Sequence, residues 1–198
     1  ANAGSDQLLC INNPNVVLSG NVAVASGGYW SGGIGTFIPD SSNLNVTYIP
    51  DTSEINNGSL TLYLTTTGND GCPAVTDPVT INWVPSPIVD AGTDQTVCAN
   101  NANVGLAGSV TGGASEGVWT SSGSGIFSPT DTSLSAIYTP SANDTANGTV
   151  TLYLTSTNGC ESVTDSMIVT ITPGPYVYAG PDQFLCENDL DADLNGII

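Results

Sequence analysis

The sequence predicts an all-β chain, a linear array of small β-sandwich domains of about seven strands each. Three observations carry that expectation. The segment Ala-Gly-x-Asp-Gln-x-x-Cys recurs at Ala3–Cys10, Ala91–Cys98 and Ala179–Cys186, each copy 88 residues after the last. The rest of the unit repeats with it: Trp30 matches Trp119, Tyr48 matches Tyr138, Leu60–Leu64 matches Val150–Leu154, and Gly71-Cys72 matches Gly159-Cys160. Between these landmarks lie short runs of alternating apolar and polar residues, closed by Gly, Asn, Ser and Pro turns. Two full units, residues 1–88 and 89–176, are expected, followed by the truncated start of a third at 177–198. The chain reads as an excerpt of something longer.

In the second unit the expected strands lie near Asp94–Cys98, Val104–Val110, Gly117–Ser121, Gly125–Ser128, Leu134–Thr139, Thr149–Thr155 and Ser162–Thr172. The clearest is Thr149–Thr155, where Val150, Leu152 and Leu154 share one face and three Thr plus Tyr153 the other. Met167, Val169 and Ile171 continue that pattern, so the last two strands should pair over a common core layer. Before them, Ser141-Ala-Asn-Asp144 has capping-box spacing for one helical turn, and Asp51-Thr-Ser-Glu54 stands at the same place in the first unit. Trp30 and Trp119 sit mid-strand, where a sandwich holds its largest core side chain. Pro85-Ser-Pro87 and Pro173-Gly-Pro175 mark the junctions, and their fixed φ predicts short semi-rigid connectors. A last strand of about 11 residues implies roughly 35–40 Å per unit.

The chain contains no Lys, Arg or His against 18 Asp plus Glu, a net charge of −18. Side-chain salt bridges are therefore excluded. Stability must come from apolar burial, backbone ladders and disulfides, and the negative field repels nucleic acid and anionic membrane surfaces. The missing Lys removes Schiff-base chemistry, and the missing His removes the usual general base and the commonest zinc ligand. No stretch has the apolar length of a membrane-spanning helix, and the first residues lack the basic and apolar regions of a signal peptide. Any targeting signal is expected to lie outside this segment or to have been removed.

Five cysteines, Cys10, Cys72, Cys98, Cys160 and Cys186, fall at two repeating positions with no Cys-x-x-Cys pair, which points to disulfides in an oxidising compartment. Pairing within units gives Cys10–Cys72 and Cys98–Cys160, each closing a loop of about 60 residues worth roughly 4 kcal/mol in the chain-entropy model. Two neighbour-linking schemes also fit: Cys72–Cys98 with Cys160–Cys186, or Cys10–Cys160. The last is favoured where the first-strand end and the last hairpin lie at opposite poles of a sandwich. Cys186 would pair with the second cysteine of the unit it opens.

Catalysis would need a pair of carboxylates of glycosidase type, and no such constellation stands out, so no catalytic residue is expected. The recurring acids Asp6/Asp94/Asp182, Glu54/Asp144 and Asp77/Asp165 fall beside turns or strand ends, where capping explains them. No cofactor is expected; for a hard cation such as Ca²⁺ the candidate ligands are the junction acids Asp90, Asp94 and Asp182. The segment Asp189–Asn195 is a poor EF-hand loop, because Leu194 stands where that loop takes Gly and aligns with Leu18 and Leu106. Four Asn-x-Ser/Thr sequons, at Asn45, Asn57, Asn143 and Asn147, are cheap matches in an Asn/Thr-rich chain.

Taken together, Ala91–Cys98, Gly117-Val-Trp-Thr-Ser-Ser-Gly-Ser-Gly-Ile-Phe-Ser-Pro129, Tyr138-Thr-Pro140, Gly148–Leu154 and Gly159-Cys160 give the chain a family likeness. It resembles the PKD-like, immunoglobulin-like tandem repeats of large secreted surface adhesins of Bacteroidota, of the gliding-associated type exported by type IX secretion. That resemblance implies an extracellular, cell-surface stalk of tandem immunoglobulin-like (PKD-like) β-sandwich domains, not an enzyme. It further implies O-glycosylation at Asp-Ser/Thr followed by a small or apolar residue, for which Thr145 and Ser166 are the candidates. The expected function is a structural repeat module of a surface fibre or filament; the alternative is a carbohydrate- or calcium-dependent recognition module attached to a secreted enzyme. Expected partners are neighbouring repeats, identical chains in a filament and surface glycans. Exposed Trp or Tyr at equivalent positions would favour recognition, and buried Trp30 and Trp119 the stalk.

Overall fold

Alternation of apolar and polar side chains builds each strand, and the computed structural model describes residues 1–185, 187–188 and 191–198. The first unit contains β1 (Gln7–Cys10), β2 (Val16–Ser19), β3 (Gly27–Ser31), β4 (Thr36–Ile38), β5 (Asn45–Ile49), α1 (Thr52–Asn57), β6 (Ser59–Thr67) and β7 (Thr76–Val84). A sheet of order β1-β7-β6-β3 and a sheet of order β2-β5-β4 enclose a core of Val16, Leu18, Trp30, Tyr48, Leu62, Leu64, Val79, Ile81 and Trp83.

The second unit contains β8 (Ile88–Asp90), β9 (Gln95–Cys98), β10 (Val104–Gly105), β11 (Ser109–Thr111), β12 (Gly117–Ser121), β13 (Ile126–Ser128), β14 (Ile137–Thr139), α2 (Ala142–Asn147), β15 (Thr149–Ser156) and β16 (Thr164–Thr172). Its sheets run β12-β15-β16-β9 and β10-β14-β13, with β8 and β11 as a separate pair. Val150 and Leu152 lie opposite Val169 and Met167 across β15 and β16, and all four are buried, the shared layer that the alternation predicts. Each of these side chains removes about 1.5–3 kcal/mol worth of apolar surface from water.

Both sandwiches break the antiparallel rule once. β1 runs parallel to β7, and β9 parallel to β16. The repeated motif secures that pairing. Asp6 accepts the Thr80 N–H and Asp94 the Ile168 N–H, both at 2.8 Å, from the last strand. In return Asp77 and Asp165 accept the amides of Ala3 at 2.7 Å and Ala91 at 2.8 Å. The motif glutamine ties the first strand to the second: Gln7 donates to the Val17 carbonyl, Gln95 to that of Gly105 and Gln183 to that of Asp193. The third motif copy thus keeps the contact its sequence shares with the others. Its Leu194 is exposed, whereas Leu18 and Leu106 are buried.

One expected strand is divided. The run Val104–Val110 becomes β10 and β11 in different sheets, and β11 pairs with β8, a strand not anticipated from the sequence. Gly108 lies between them, so close to the core that a Cβ there would come within 2.6 Å of Trp119 and 2.7 Å of Leu154. The chain changes sheets where no side chain fits. Gly108→Ala is expected to cost about 1–3 kcal/mol through overpacking, read as a lower urea midpoint with an unchanged slope. The last strand is also shorter than expected, 9 residues in both units.

Candidate functional site: the stapled junction

The place where repetition becomes architecture is the junction between the sandwiches. β7 ends at Val84, and Pro85-Ser86-Pro87 leads directly into β8. Parallel pairing puts Cys10 opposite Val84, and the Ile11 N–H donates to the Val84 carbonyl at 3.0 Å. The β15–β16 hairpin of the second unit reaches back over this connector and presents Cys160. Cys10 and Cys160 form a disulfide, with a Cα–Cα distance of 5.3 Å and a sequence separation of 150.

The connector is flanked by residues too small to obstruct it. Gly112, at φ +78°, would bring a Cβ within 2.5 Å of the Ser86 carbonyl oxygen, and a Cβ on Gly113 would overlap that of Pro85. A Cβ on Gly159 would come within 2.5 Å of Pro87, which is buried. The Trp83 indole N–H donates to the Pro14 carbonyl at 3.0 Å, and Asn12 donates to the Glu161 carboxylate at 3.4 Å. Pro85 is exposed, Ser86 half-buried and Pro87 buried; the two prolines bring no N–H to satisfy, while the Ser86 hydroxyl is buried without a partner. In the chain-entropy model a loop of this length gives about 5 kcal/mol, an upper figure because each unit also folds around its own core.

Of the pairings the spacing leaves open, the structure contains Cys10–Cys160; Cys72 and Cys98 are free and exposed, and Cys186 lies outside the described residues. Pairing within units is excluded by distance. Cys10 stands beside the C-terminal end of β7 and Cys72 in the turn before its N-terminal end, separated by a strand of about 30 Å.

The recurring acids have structural partners. Among the cation candidates, Asp90 accepts the Gly92 N–H at 2.8 Å, Asp94 is engaged by β16, and Asp182 is exposed. Among the described residues no three His, Cys, Asp or Glu side chains gather as a metal site. Thr145 is half-buried in α2, its hydroxyl donating to the Ser141 carbonyl at 3.0 Å, while Ser166 is exposed opposite Tyr153. Among the described residues no helix is long and apolar enough to cross a membrane.

Glu54 and Asp144 do more than the capping boxes their spacing predicts. Both are buried, 6% and 2% exposed, and each anchors the core tyrosine six residues before it. The Tyr138 hydroxyl donates to Asp144 at 2.8 Å, as the amides of Ser124 and Ser141 do at 3.0 and 2.9 Å. The Tyr48 hydroxyl donates to Glu54, joined by the amides of Ile34 and Asp51. Gly35 and Gly125 in turn donate to the tyrosine oxygens. In a chain without cationic side chains, N–H and O–H dipoles replace ion pairs. The recurring Tyr-x5-acid spacing was the available signal.

Burial opposes the Asp144 charge, but hydrogen bonds from Ser141, Ser124 and Tyr138 outweigh it and hold the carboxyl below its ordinary value. Its contribution is therefore complete above the unfolded carboxylate pKa of about 4 and is lost as pH falls through the lower folded value. Burial first, then Glu54, pushes the Tyr48 phenol up. Stability from the neutral phenol is full below an unfolded pKa of about 10 and declines as pH rises toward the folded value. Thermal midpoints across pH should fall at both extremes; an acid limb unchanged in Asp144→Asn would exclude Asp144 as a cause.

Neither a family model nor a curated protein matches the chain. Among solved structures, extracellular domains 3–5 of Drosophila OTK superpose with a TM-score of 0.51 at 11% identity, covering 85% of this chain and 59% of that one. The fibronectin(III)-like modules of Clostridium thermocellum CbhA superpose at 0.48 and 10% identity, covering 85% and 90%. This chain thus spans about three fifths of the OTK fragment. At 11% identity the OTK likeness is one of fold, and with the sheet order above it makes this chain a tandem of immunoglobulin-like β-sandwiches.

Proposed function

We infer that the chain is a structural, non-catalytic repeat module of a long extracellular bacterial surface fibre, adhesin or filament. The observation that carries this reading is the Cys10–Cys160 staple across the short, partly buried Pro85-Ser86-Pro87 connector. A hinge between independent recognition domains gains nothing from such a lock, whereas a projecting rod gains a fixed angle at each joint. A disulfide also suits an oxidising compartment, and uniform negative charge keeps neighbouring rods apart. The motif likeness to PKD-like repeats of Bacteroidota adhesins supports surface placement and type IX export. Trp30 and Trp119 are both 1% exposed, which removes them as sugar-stacking platforms. Lateral assembly of identical chains would have to use apolar patches, glycan or Ca²⁺, since opposite side-chain charges are absent.

Electron microscopy of the native material, paired with X-ray scattering of this chain with and without thiol reductant, tests the reading. Beaded rods with a spacing of roughly 30–40 Å, a 9-residue last strand plus its short connector, and a chain that becomes less extended or more variable on reduction, are the expected result. Compact particles and a reduction-insensitive profile would overturn it. The recognition alternative draws on Tyr63 and Tyr153, 42% and 38% exposed at equivalent positions on the outer faces; saturable glycan binding lost in Tyr153→Ala would favour it. Glycosylation of Thr145 or Ser166 would appear as added intact mass, and a mass equal to the bare sequence removes it.

A further inference from the structure

We propose that the strand end around Cys98 is a docking site for the Gly-Cys hairpin of a further repeat unit, closed by a second disulfide between units. The inference rests on the array reading above and adds a specific contact surface to it. Its basis is that this pole of the second unit reproduces the occupied pole of the first. Cys98 ends a strand parallel to β16, opposite Thr172, as Cys10 ends one opposite Val84. The Ala99 N–H donates to the Thr172 carbonyl at 2.8 Å, as Ile11 does to Val84 at 3.0 Å. The Asn101 N–H donates to the Cys98 carbonyl at 2.9 Å, as Asn13 does to Cys10 at 3.0 Å. Pro173-Gly174-Pro175 continues where Pro85-Ser86-Pro87 does in the first unit.

What differs is the cover. Cys10 is 5% exposed under the Cys160 hairpin, whereas Cys98 is exposed and free and Pro175, the counterpart of buried Pro87, is exposed too. The occupant that fits is a following unit of this pattern, whose first-strand contacts the third motif copy already makes through Gln183 and the Tyr178–Ile197 bridge. Closure converts two thiols to one disulfide. Their two electrons and two protons pass to a small-molecule or protein disulfide, which leaves as two thiols.

The hairpin to be captured must have room for the connector. In the second unit Gly112 and Gly113 provide it. Val24 and Ala25 stand at those places in the first unit, with Val24 fully exposed at φ +70°, so a unit of the second type is the better probe.

The test extends the whole chain: residues 1–176 followed directly by residues 89–198, with Cys98→Ser in the appended copy so that one Cys98 remains, and the exposed Ser162→Thr there as a mass tag for the appended Cys160 peptide. In this three-unit protein Cys98 and the appended copy's Cys160 stand as far apart as Cys10 and Cys160 do, 150 residues. After oxidation with glutathione disulfide, non-reducing peptide mapping should find Cys98 joined to that appended cysteine, Cys72 alkylatable and Cys10–Cys160 intact. Cys98 remaining alkylatable while Cys10–Cys160 forms would overturn the proposal, as would Cys98 scattered among several partners. Microscopy of the same sample separates the two claims. A rod with free Cys98 defeats the docking site alone; a globular particle with the linkage formed defeats the fibre reading and leaves docking supported.

Discussion

Replacing Asp144 with alanine is expected to destabilise the second sandwich by about 3–5 kcal/mol, far more than loss of an exposed helix cap. The alanine leaves the amides of Ser124 and Ser141, at the partly buried edge of the sandwich, without their acceptor, and leaves the core Tyr138 hydroxyl only the Ser121 hydroxyl, 3.4 Å away. Each orphaned donor costs on the order of 1–3 kcal/mol when water cannot reach it. Asp144→Asn retains an acceptor oxygen and recovers part of the loss, while Tyr138→Phe removes one donor together with its need and costs less than the alanine. Urea unfolding of the three variants gives the ordering directly. A loss below about 1 kcal/mol for Asp144→Ala would mean that water or a rearranged backbone takes over, and the cluster would be a cap and no more.

Trp119→Ala should cost a comparable amount, about 3–5 kcal/mol, by leaving a cavity between the sheets beside Phe127, whose ring centroid lies 6.5 Å away. The two tryptophans separate under a milder change. The Trp30 indole N–H donates to the Leu44 carbonyl at 3.1 Å, whereas that of Trp119 is buried without a partner. Phenylalanine at position 119 therefore removes a desolvated donor along with some volume, and at position 30 it removes a made hydrogen bond. Trp119→Phe should be the cheaper of the pair, measured as the two urea midpoints in otherwise identical chains. Equal costs would show that volume alone decides both sites.

The fold was legible because its determinants are local and repeated. Period-two alternation marked β15 and β16, the Trp and Tyr landmarks marked the core, and Ser141 with Asp144 marked the helical turn. What escaped depended on pairs far apart in the chain. The split of β10 from β11 turns on Gly108 meeting Trp119 and Leu154, and nothing in the run Val104–Val110 announces that encounter. Asp77 and Asp165 read as turn residues, yet each clamps an amide 74 positions away. The tyrosine–carboxylate cluster was half visible: spacing showed the cap, and burial of the same carboxylate followed only from packing. The disulfide was undecidable between schemes until the poles of the sandwich were fixed in space.

Stretching the chain from its ends brings the staple into a different role. Tension entering at Ala1 passes through the first strand to Cys10, crosses the sulfur bridge to Cys160, and leaves along β16. Everything between those cysteines hangs in a covalently closed loop and cannot add length, whether folded or not. About 500 Å of contour is withheld in this way, so oxidised molecules behave as short tethers with little to unravel. In single-molecule pulling, adding a thiol reductant would release that hidden length. A fibre built on such joints can lose the fold of a unit without losing its reach.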